Sequence, residues 1–304
     1  MGRSFFKPII PDISKYSVIA EPIKSEEWYW VGAPSALYDV DSDEFWLAYR
    51  VRSKEERGFK LVLAVSKNGV NFNSVKVFYK NDVNLYSFER PSLVKDPFTG
   101  RFRLYLSGDV GKGWRIFVLD DVDDPRDFDI STLKIVLSPS SNARDNRSVK
   151  DPYVFTVGGL YFMYYIGAGV REEMYGAYSY NGLDWNRFEE NPILEQGGWH
   201  NYYTRPSNIL DLDGVFQVFY EGSNKEWYQP VFNIQTGYGI SFDLRKIYEV
   251  TLDKPLLSSP TGNLYETIRY MDSVIIDDKI YFYYEAARRD NSFELRVSVQ
   301  EVDL

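Results

Sequence analysis

The chain has 304 residues and a formal net charge of −9, from 35 Lys and Arg against 44 Asp and Glu. This acidic excess argues against a nucleic-acid backbone or an anionic membrane surface as the main partner. The sequence lacks a run of about 20 apolar residues, and its start, MGRSFFKPIIPDISKY, lacks the apolar segment of a signal peptide. We therefore expect a cytoplasmic protein without a membrane or nucleic-acid partner. The absence of cysteine excludes disulfides and thiolate metal sites.

One pattern recurs five times: polar residues that usually include a proline, an apolar run, a tight turn and an aromatic run. The five repeats begin at Gly32, Phe88, Val149, Tyr203 and Ile268. In each, two runs rich in Val, Ile, Phe and Tyr flank turn residues such as Asp213-Gly214, which is typical of a β-hairpin. Asn-Gly pairs at 68–69 and 181–182 mark a turn after a third strand, and a fourth strand completes the repeat.

Five four-stranded repeats predict one domain over residues 1–304, an all-β, five-bladed β-propeller with antiparallel blades around a central channel. Three strands follow Ile268, so the last blade needs a fourth. The segment YSVIAEP at residues 16–22 is expected to supply it, which would close the ring and leave no unpaired blade edge. A β-sandwich or a β-helix is the alternative fold.

The propeller fold predicts a cluster of charged residues at one mouth of the channel. In a hairpin, the start of the first strand and the end of the second lie at the same end of the sheet. The strand starts are Ala33, Glu89-Arg90, Asp151, Arg205 and Met271-Asp272, and the strand ends are Arg50, Gly108-Asp109, Gly167, Glu221 and Glu285. A buried core would not tolerate these ionisable groups unpaired.

The repeats, with VKDPYVF at 149–155 and AYSYNGLDWNRFEENPIL at 177–194, resemble the five-bladed propeller glycoside hydrolases, the group of families 32, 43, 62, 68 and 130. The first repeat, with LAYRV at 47–51, is most similar to family 130, the mannoside phosphorylases and related hydrolases. The third repeat is more like family 43, the arabinofuranosidases and xylosidases. The resemblance implies a propeller fold and chemistry on sugars.

This sequence departs from both families at the positions that the resemblance makes catalytic. Family 43 has a general base at the start of the first repeat, where this chain has Ala33. Asp151 matches the family 43 aspartate that tunes the acid and orients the substrate. The Glu-Gly-Pro element of the family 43 acid reads Thr204-Arg205-Pro206 here, and the Glu-Asp-Pro element of family 130 reads Glu89-Arg90-Pro91. The family roles therefore do not transfer directly.

Cleavage of a glycosidic bond needs one carboxylic acid to protonate the leaving oxygen and a second carboxylate to activate water or attack. We predict that Asp151, Glu221 and Glu89 are catalytic. Glu221, flanked by aromatic residues in VFYEGS, is expected to have a raised pKa and to act as the acid. Asp151 is then the base or an orienting group. The alternative is that each carboxylate only pairs with a neighbouring arginine.

Other charged and aromatic residues are predicted to bind substrate. Converging arginines could hold phosphate or an anionic sugar, or could simply neutralise the carboxylates. Aromatic rings stack on the apolar faces of sugars. The candidates are Arg50, Arg90, Arg205, Arg269, Asp272, Glu285, His200, Trp199 and Tyr202, with Trp28, Trp30, Tyr86 and Trp227 as further loop aromatics. For His200, the alternative is a hydrogen-bonded structural role.

Together these features predict a glycosidase-like enzyme acting on a small sugar or oligosaccharide. A glycoside phosphorylase with arginine-bound phosphate and a non-catalytic carbohydrate-binding propeller remain alternatives, the latter favoured by Ala33 and Arg90. We expect no metal or cofactor, because the acidic stretches from Asp39 and Asp120 lack the spacing of a calcium loop. The resemblance leaves open a Ca²⁺ ion in the channel.

Overall fold

The computed structural model describes residues 7–141, 144–226 and 233–302. These residues form twenty β-strands and four short 3₁₀ helices, and they contain no α-helix. The 3₁₀ helices are Lys80–Val83, Pro125–Asp127, Ile130–Thr132 and Gly198–His200. In the described ranges, no helix has the length and apolar character needed to cross a bilayer. The fold is therefore all-β, as the sequence predicts.

The N-terminal strand and the first repeat provide five strands. They are β1 (Ser17–Ala20), β2 (Trp30–Asp39), β3 (Glu44–Arg52), β4 (Lys60–Ser66) and β5 (Asn73–Tyr79). Strands β2 to β5 pair with one another in chain order, and every pairing is antiparallel. This is the strand order that the hairpin and turn signals predict.

The second, third and fourth repeats each form a separate four-stranded antiparallel sheet in chain order. The second consists of β6 (Ser87–Lys95), β7 (Phe102–Asp109), β8 (Trp114–Val118) and β9 (Lys134–Leu137). The third consists of β10 (Ser148–Val157), β11 (Leu160–Ala168), β12 (Glu172–Ser179) and β13 (Asn186–Arg187). The fourth consists of β14 (Tyr203–Leu212), β15 (Val215–Ser223), β16 (Gln235–Ser241) and β17 (Tyr248–Glu249).

The fifth repeat provides three strands: β18 (Ile268–Ile276), β19 (Lys279–Ala287) and β20 (Phe293–Glu301). Strand β1 pairs antiparallel with β20, so the N-terminal segment supplies the fourth strand, as the sequence predicts. A parallel pairing of Trp30 with Phe293 also links β2 to β20, which joins the first and fifth repeats in one mixed eight-stranded sheet. The first and last strands, β1 and β20, are therefore held in the same sheet.

Apolar cores lie between the sheets of consecutive repeats. Trp46 and Leu104 belong to a core shared by the first and second repeats, and Tyr105 and Met163 to one shared by the second and third. Further cores join the third repeat to the fourth, the fourth to the fifth, and the fifth back to the first. Each repeat therefore buries apolar side chains against both of its neighbours, which accounts for the high aromatic content of the strands.

A second set of contacts links the first strands of consecutive repeats near one end of the sheets. The Ser35 hydroxyl accepts a hydrogen bond from the Leu93 amide (2.9 Å), and the Ser92 hydroxyl accepts one from the Val154 amide (2.9 Å). Tyr153 donates to Asn208 (2.9 Å), and Asn208 donates to Ser273 (2.8 Å). Between the fifth and first repeats, the Asp272 carboxylate accepts from the Ala36 amide (2.7 Å).

A β-bulge interrupts the first strand of every repeat near its start. In all repeats except the fourth, two bulge residues oppose one residue of the second strand, and the first of the two is Ala33, Glu89, Asp151 or Tyr270. Ala33, Asp151 and Tyr270 have φ between +53° and +55°. Non-glycine residues in this left-handed region are uncommon and cluster at functional sites, as bulges do.

Candidate active site

Charged side chains lie buried at the end of the sheets where first strands begin and second strands end, which we call the mouth end. Nine charged residues there are less than 10% exposed: Arg50, Glu89, Arg90, Asp151, Arg205, Glu221, Arg269, Asp272 and Glu285. Five different repeats contribute them. Asp109, which is also predicted there, is half-buried. A charge removed from water must be paired, hydrogen-bonded or neutralised by a change of protonation.

Arg50 binds two carboxylates from different repeats. Its Nε donates to Glu89 (2.9 Å), and its Nη2 donates to Glu285 (2.9 Å). Glu285 also accepts two hydrogen bonds from Arg269, at 2.9 and 2.7 Å. Burial by itself would raise the pKa of Glu89, but the attraction of Arg50 and other arginines holds that pKa well below its usual range. Glu89 is therefore ionised, and both Glu89 and Glu285 pair with Arg50.

Glu221 differs from Glu89 because its pKa is raised and not lowered. It is fully buried at the end of β15, and its Oε1 accepts a hydrogen bond from the Tyr270 amide. Its Oε2 accepts no hydrogen bond from the described residues. Burial raises the pKa of Glu221 to about 7, and Arg205 offsets only part of this effect. A substantial fraction of Glu221 therefore carries a proton near neutral pH.

Asp151 lies between these two extremes, at the bulge of β10. Its amide donates to the Ser107 hydroxyl (2.5 Å), and its Oδ2 accepts from the Tyr270 hydroxyl (3.1 Å). Lys150 approaches the same oxygen at 3.9 Å. Burial and the charge of Glu89 raise the pKa of Asp151, while Lys150 opposes the increase. The structure thus brings Asp151 into the same cluster as Glu89 and Glu221.

Tyr270 is the residue that connects the three carboxylates, and sequence reasoning missed it. Its hydroxyl lies 3.1 Å from Asp151 and 3.5 Å from Glu89, and its amide contacts Glu221. The repeat pattern predicts Met271-Asp272 at the strand start of the fifth repeat, because Asp272 has the place in its repeat that Pro34, Pro91, Pro152 and Pro206 have in the others. The observed bulge instead gives Tyr270 the position that Glu89 and Asp151 occupy in their repeats.

Asp272 lies further along β18 and holds the fifth repeat to the first. Its carboxylate accepts from the amides of Ala36 (2.7 Å) and Ser273 (2.8 Å). Burial raises the pKa of Asp272 to about 6, and the charge of Arg90 offsets part of that shift. The contacts of Asp272 in this structure are therefore structural, although the sequence predicts a substrate contact.

The remaining predicted cations also have partners. The Arg90 guanidinium donates to the carbonyls of Pro206 (3.2 Å), Ser207 (2.7 Å) and Met271 (2.9 Å). Arg205 pairs with Glu172, which also binds Lys150 at 2.7 Å. Sequence reasoning missed Glu172 and Lys150, although Lys150 immediately precedes Asp151 in the KDP element. The Glu172 side chain is 17% exposed, so this ion-pair group forms the more open rim of the cluster.

The predicted aromatic contacts divide between the interior and the surface. Trp199 packs in the core against Tyr220, and its indole donates to the Thr251 carbonyl (2.7 Å). His200 is 1% exposed and lies 2.5 Å from a Glu249 oxygen, which fits the structural alternative for this residue. Trp30 is buried, Trp28 stacks on it, and Tyr86 is exposed. Trp227 lies outside the described residues.

Two surface grooves open at the mouth end. One, of about 450 Å³, is lined by Arg171, Asn201, Tyr202, Asn224, Lys225 and Glu226. The other, of about 1140 Å³, runs along the third repeat and shares Arg171 with the first. Tyr202, a predicted substrate contact, therefore lies in a groove. Across the part of the chain that the structure describes, no group of three or more His, Asp or Glu side chains could hold a metal ion.

Comparisons with known proteins show similarity in structure only. No protein-family profile matches the sequence, and the search of curated proteins gives no match. Among solved structures, the chain is similar to a glycoside hydrolase, with a TM-score of 0.72, 14% identity and coverage of 95% of this chain and 92% of that one. It is also similar to α-L-arabinofuranosidase from Lactobacillus brevis (TM-score 0.65, 12% identity, coverage 88% and 89%).

A third similar structure is β-1,2-mannobiose phosphorylase from Listeria innocua in complex with β-1,2-mannobiose (TM-score 0.64, 12% identity, coverage 98% and 93%). The three similarities confirm the resemblance to the propeller glycoside hydrolase group that the sequence indicates. At these identities the likeness concerns the fold, which extends over nearly the whole chain.

The position of Glu285 depends on the absence of a side chain at Gly32. A Cβ atom on Gly32 would collide with the Glu285 side chain. We therefore predict that Gly32→Ala displaces Glu285 from Arg50 and Arg269 and destabilises the protein by about 3 kcal/mol or more, the cost typical of a broken buried ion pair. Urea unfolding measures the effect. Gly197→Ala is the control, because its Cβ would meet no atom within 4 Å; equal stabilities of the two variants would contradict this account of Gly32.

The raised pKa of Glu221 makes stability depend on pH. Between the usual value of 4.5 and about 7, the folded state holds the Glu221 proton more tightly than the unfolded state does. The contribution of this residue to stability is therefore fully present below pH 4.5 and is lost as the pH rises through about 7. We predict that Glu221→Gln gains up to about 3 kcal/mol relative to wild type from pH 4 to 8.

Urea unfolding at a series of pH values measures this difference. Glu44→Gln serves as the control, because Glu44 lies at the opposite end of β3 from the cluster and pairs with Arg126. If the wild-type and Glu221→Gln stabilities changed in parallel with pH, the Glu221 proton would not be held as described.

Proposed function

We propose that this protein is a glycosidase-like enzyme that cleaves a glycosidic bond in a small sugar or oligosaccharide. The observation that carries the proposal is the contrast between carboxyl groups in one buried cluster. Glu221 has a pKa raised to about 7, whereas the pKa of Glu89 is held well below its usual range. Neighbouring carboxyl groups whose environments separate their pKa values in this way take different roles in glycoside hydrolysis, one as the proton donor and the other as an ionised group.

The proposal includes a ring of five blades formed by one domain. Cores and hydrogen bonds join each repeat to the next, and both kinds of contact also join the fifth repeat to the first. The pairing of β1 with β20 supports a last blade completed by the N-terminal strand. In such a ring, the mouth ends of all five sheets converge, which explains why Glu89, Asp151 and Glu221 meet although they lie far apart in the sequence.

Each carboxyl group has a distinct proposed role. Glu221, with its Oε2 unbonded among the described residues, donates the proton to the leaving oxygen. Asp151 accepts the proton of the attacking water, because its pKa is raised but Lys150 and hydrogen-bond donors favour its ionised form. Glu89 remains ionised beside Arg50 and stabilises the positive charge that develops on the sugar ring.

Asp151 and Glu89 lie close together. The single hydroxyl of Tyr270 contacts both carboxylates, so at most two hydrogen-bond lengths separate them.

The surface at the mouth end supports a sugar as the partner. The grooves there are lined by a mixture of charged, amide and aromatic side chains, including Tyr202 and Arg171. The Arg171 guanidinium lies over the Tyr202 ring, 5.4 Å from its centre. Surfaces that combine flat rings with hydrogen-bonding groups suit oligosaccharides.

Hydrolysis is favoured over phosphorolysis because the predicted phosphate ligands already have partners. Arg50 and Arg269 donate to Glu285, and Arg90 donates to three backbone carbonyls. Phosphate would have to displace carboxylates or carbonyls from these guanidinium groups. Such displacement leaves buried polar groups unpaired, which is costly.

We predict that Glu221→Gln and Asp151→Asn each lower turnover at least about 100-fold, the scale of lost acid or base catalysis. The assay is a screen of nitrophenyl glycosides and short oligosaccharides, each with and without phosphate. Glu44→Gln is the matched control and should retain wild-type turnover, because this carboxylate lies at the opposite end of β3.

Three other results would contradict the proposal in different ways. Near-normal turnover in both cluster variants would overturn the site. Release of sugar 1-phosphate only when phosphate is present would identify a phosphorylase. Binding of oligosaccharides without turnover, unchanged in Glu221→Gln, would identify a non-catalytic binding protein.

A further inference from the structure

We propose that Tyr270 is a positioning residue of the active site, whose hydroxyl orients Asp151 and favours its ionised form while its amide orients Glu221. The catalytic consequence rests on the proposed function, but the effect of Tyr270 on Asp151 does not. Neither the repeat pattern nor the resemblance assigns a role to this tyrosine.

The backbone conformation of Tyr270 allows this residue to contact carboxylates of three other repeats. It occupies the same bulge position as Ala33, Glu89 and Asp151, and its φ of +53° places it in the left-handed region with Ala33 and Asp151. From the fifth repeat it contacts carboxylates of the second, third and fourth repeats. In the first repeat the residue at this position is Ala33, whose side chain is only a methyl group.

The phenolic proton is directed to Asp151. The hydroxyl lies closer to Asp151 (3.1 Å) than to Glu89 (3.5 Å), and Glu89 already accepts a 2.9 Å hydrogen bond from Arg50. Other donors to Asp151 are more distant: the Ser107 hydroxyl and the Arg90 amide at 3.4 Å. Donation to a carboxylate stabilises its charged form. Burial and the two carboxylates keep the pKa of Tyr270 well above its usual range, so the phenol remains a donor.

The backbone of Tyr270 acts on the acid separately. Its amide donates to Glu221 Oε1, which fixes one oxygen of the carboxyl group and leaves Oε2 for the transferable proton. Because this contact comes from the main chain, Tyr270→Phe removes the hydroxyl while retaining the amide. The variant therefore separates the effect on Asp151 from the effect on Glu221.

Several other charged groups face Asp151 and contribute to its titration. Those that act on it most strongly are Lys150, Glu89, Arg205 and Glu172, from β10, β6, β14 and β12. The cluster beyond them consists of Arg50 on β3, Arg90 on β6, Glu221 on β15, Arg269 on β18 and Glu285 on β19. Tyr270→Phe leaves all of these in place, so a change in the Asp151 titration reports the lost hydroxyl.

The test is a ¹³C NMR titration of aspartate carboxyl carbons in the full-length protein, with the Asp151 signal assigned by its loss in Asp151→Asn. In Tyr270→Phe, we expect the Asp151 midpoint to move to higher pH by about one unit, a size ordinary for one lost hydrogen bond to a charged group. In kinetics, the acidic limb of kcat/KM should move in the same direction, with kcat lowered about tenfold and KM changed less than twofold.

Tyr164→Phe is the matched control. Tyr164 is fully buried, and its hydroxyl donates to the Leu244 carbonyl (2.7 Å) rather than to a carboxylate. It should lose similar stability while leaving the Asp151 midpoint and the pH profile unchanged. A purely structural role for Tyr270 would make the two variants alike, and an unchanged Asp151 midpoint in Tyr270→Phe would overturn the proposal.

A reciprocal measurement applies if Tyr270→Phe does not fold. Asp151→Asn removes a negative charge beside the phenol, so Tyr270 should titrate at lower pH than in wild type, as followed by ¹³C NMR of labelled tyrosine. An unchanged Tyr270 titration would also overturn the proposal. If the wild type has no glycosidase activity but these NMR shifts occur, the proposed function fails and the Tyr270–Asp151 coupling stands.

Discussion

The burial of charge at the mouth end is the constraint on which the rest of this structure depends. Many ionisable side chains from all five repeats lie there with almost no access to water. An isolated ion in such an environment is unstable, so each group must find a partner or change its protonation. Arg50 meets the constraint by binding Glu89 and Glu285 together. Glu221, which has a backbone donor but no ion pair within the described part of the chain, meets it by holding a proton more tightly.

Pairing with an arginine and retention of a proton give two glutamates different chemical properties. A glutamate held by an arginine becomes a permanent negative charge, and a glutamate without one becomes a weak acid that titrates near neutral pH. Asp151 is intermediate, because burial raises its pKa while Lys150 and the Tyr270 hydroxyl favour its ionised form. Acid, base and stabilising charge are the groups that cleavage of a glycosidic bond requires. The arrangement therefore supports sugar chemistry even though the family positions at Ala33 and Arg90 lack carboxylates.

The sequence predicts the fold well because its signals are local. Hairpin turns, alternating aromatic runs and the five-fold repeat indicate four-stranded sheets, and YSVIAEP is recognised as the missing strand of the last one. The same reasoning brings Glu89, Asp151 and Glu221 together, because hairpin geometry fixes which strand ends meet. These predictions need only the period of the pattern and the positions of the turns.

Other features depend on register and packing that no local pattern encodes. The bulge in β18 moves Tyr270 into the carboxylate cluster and Asp272 out of the expected position, and the repeated proline gives no sign of this shift. Trp199 and His200 are predicted as substrate contacts, with a structural role as the alternative for His200. Contacts with Thr251 and Glu249, about 50 residues further along the chain, hold both side chains in the core. Glu172 is missed because its role arises only from the approach of Arg205 and Lys150.

The titration of Glu221 tests the central claim most directly. In a ¹³C NMR experiment on glutamate carboxyl carbons, the Glu221 signal is the one that disappears in Glu221→Gln. The structure predicts that it titrates near pH 7, while Glu89 stays ionised to the lowest pH at which the protein remains folded. A Glu221 midpoint close to the ordinary value of 4.5 would contradict the assignment of this residue as the acid.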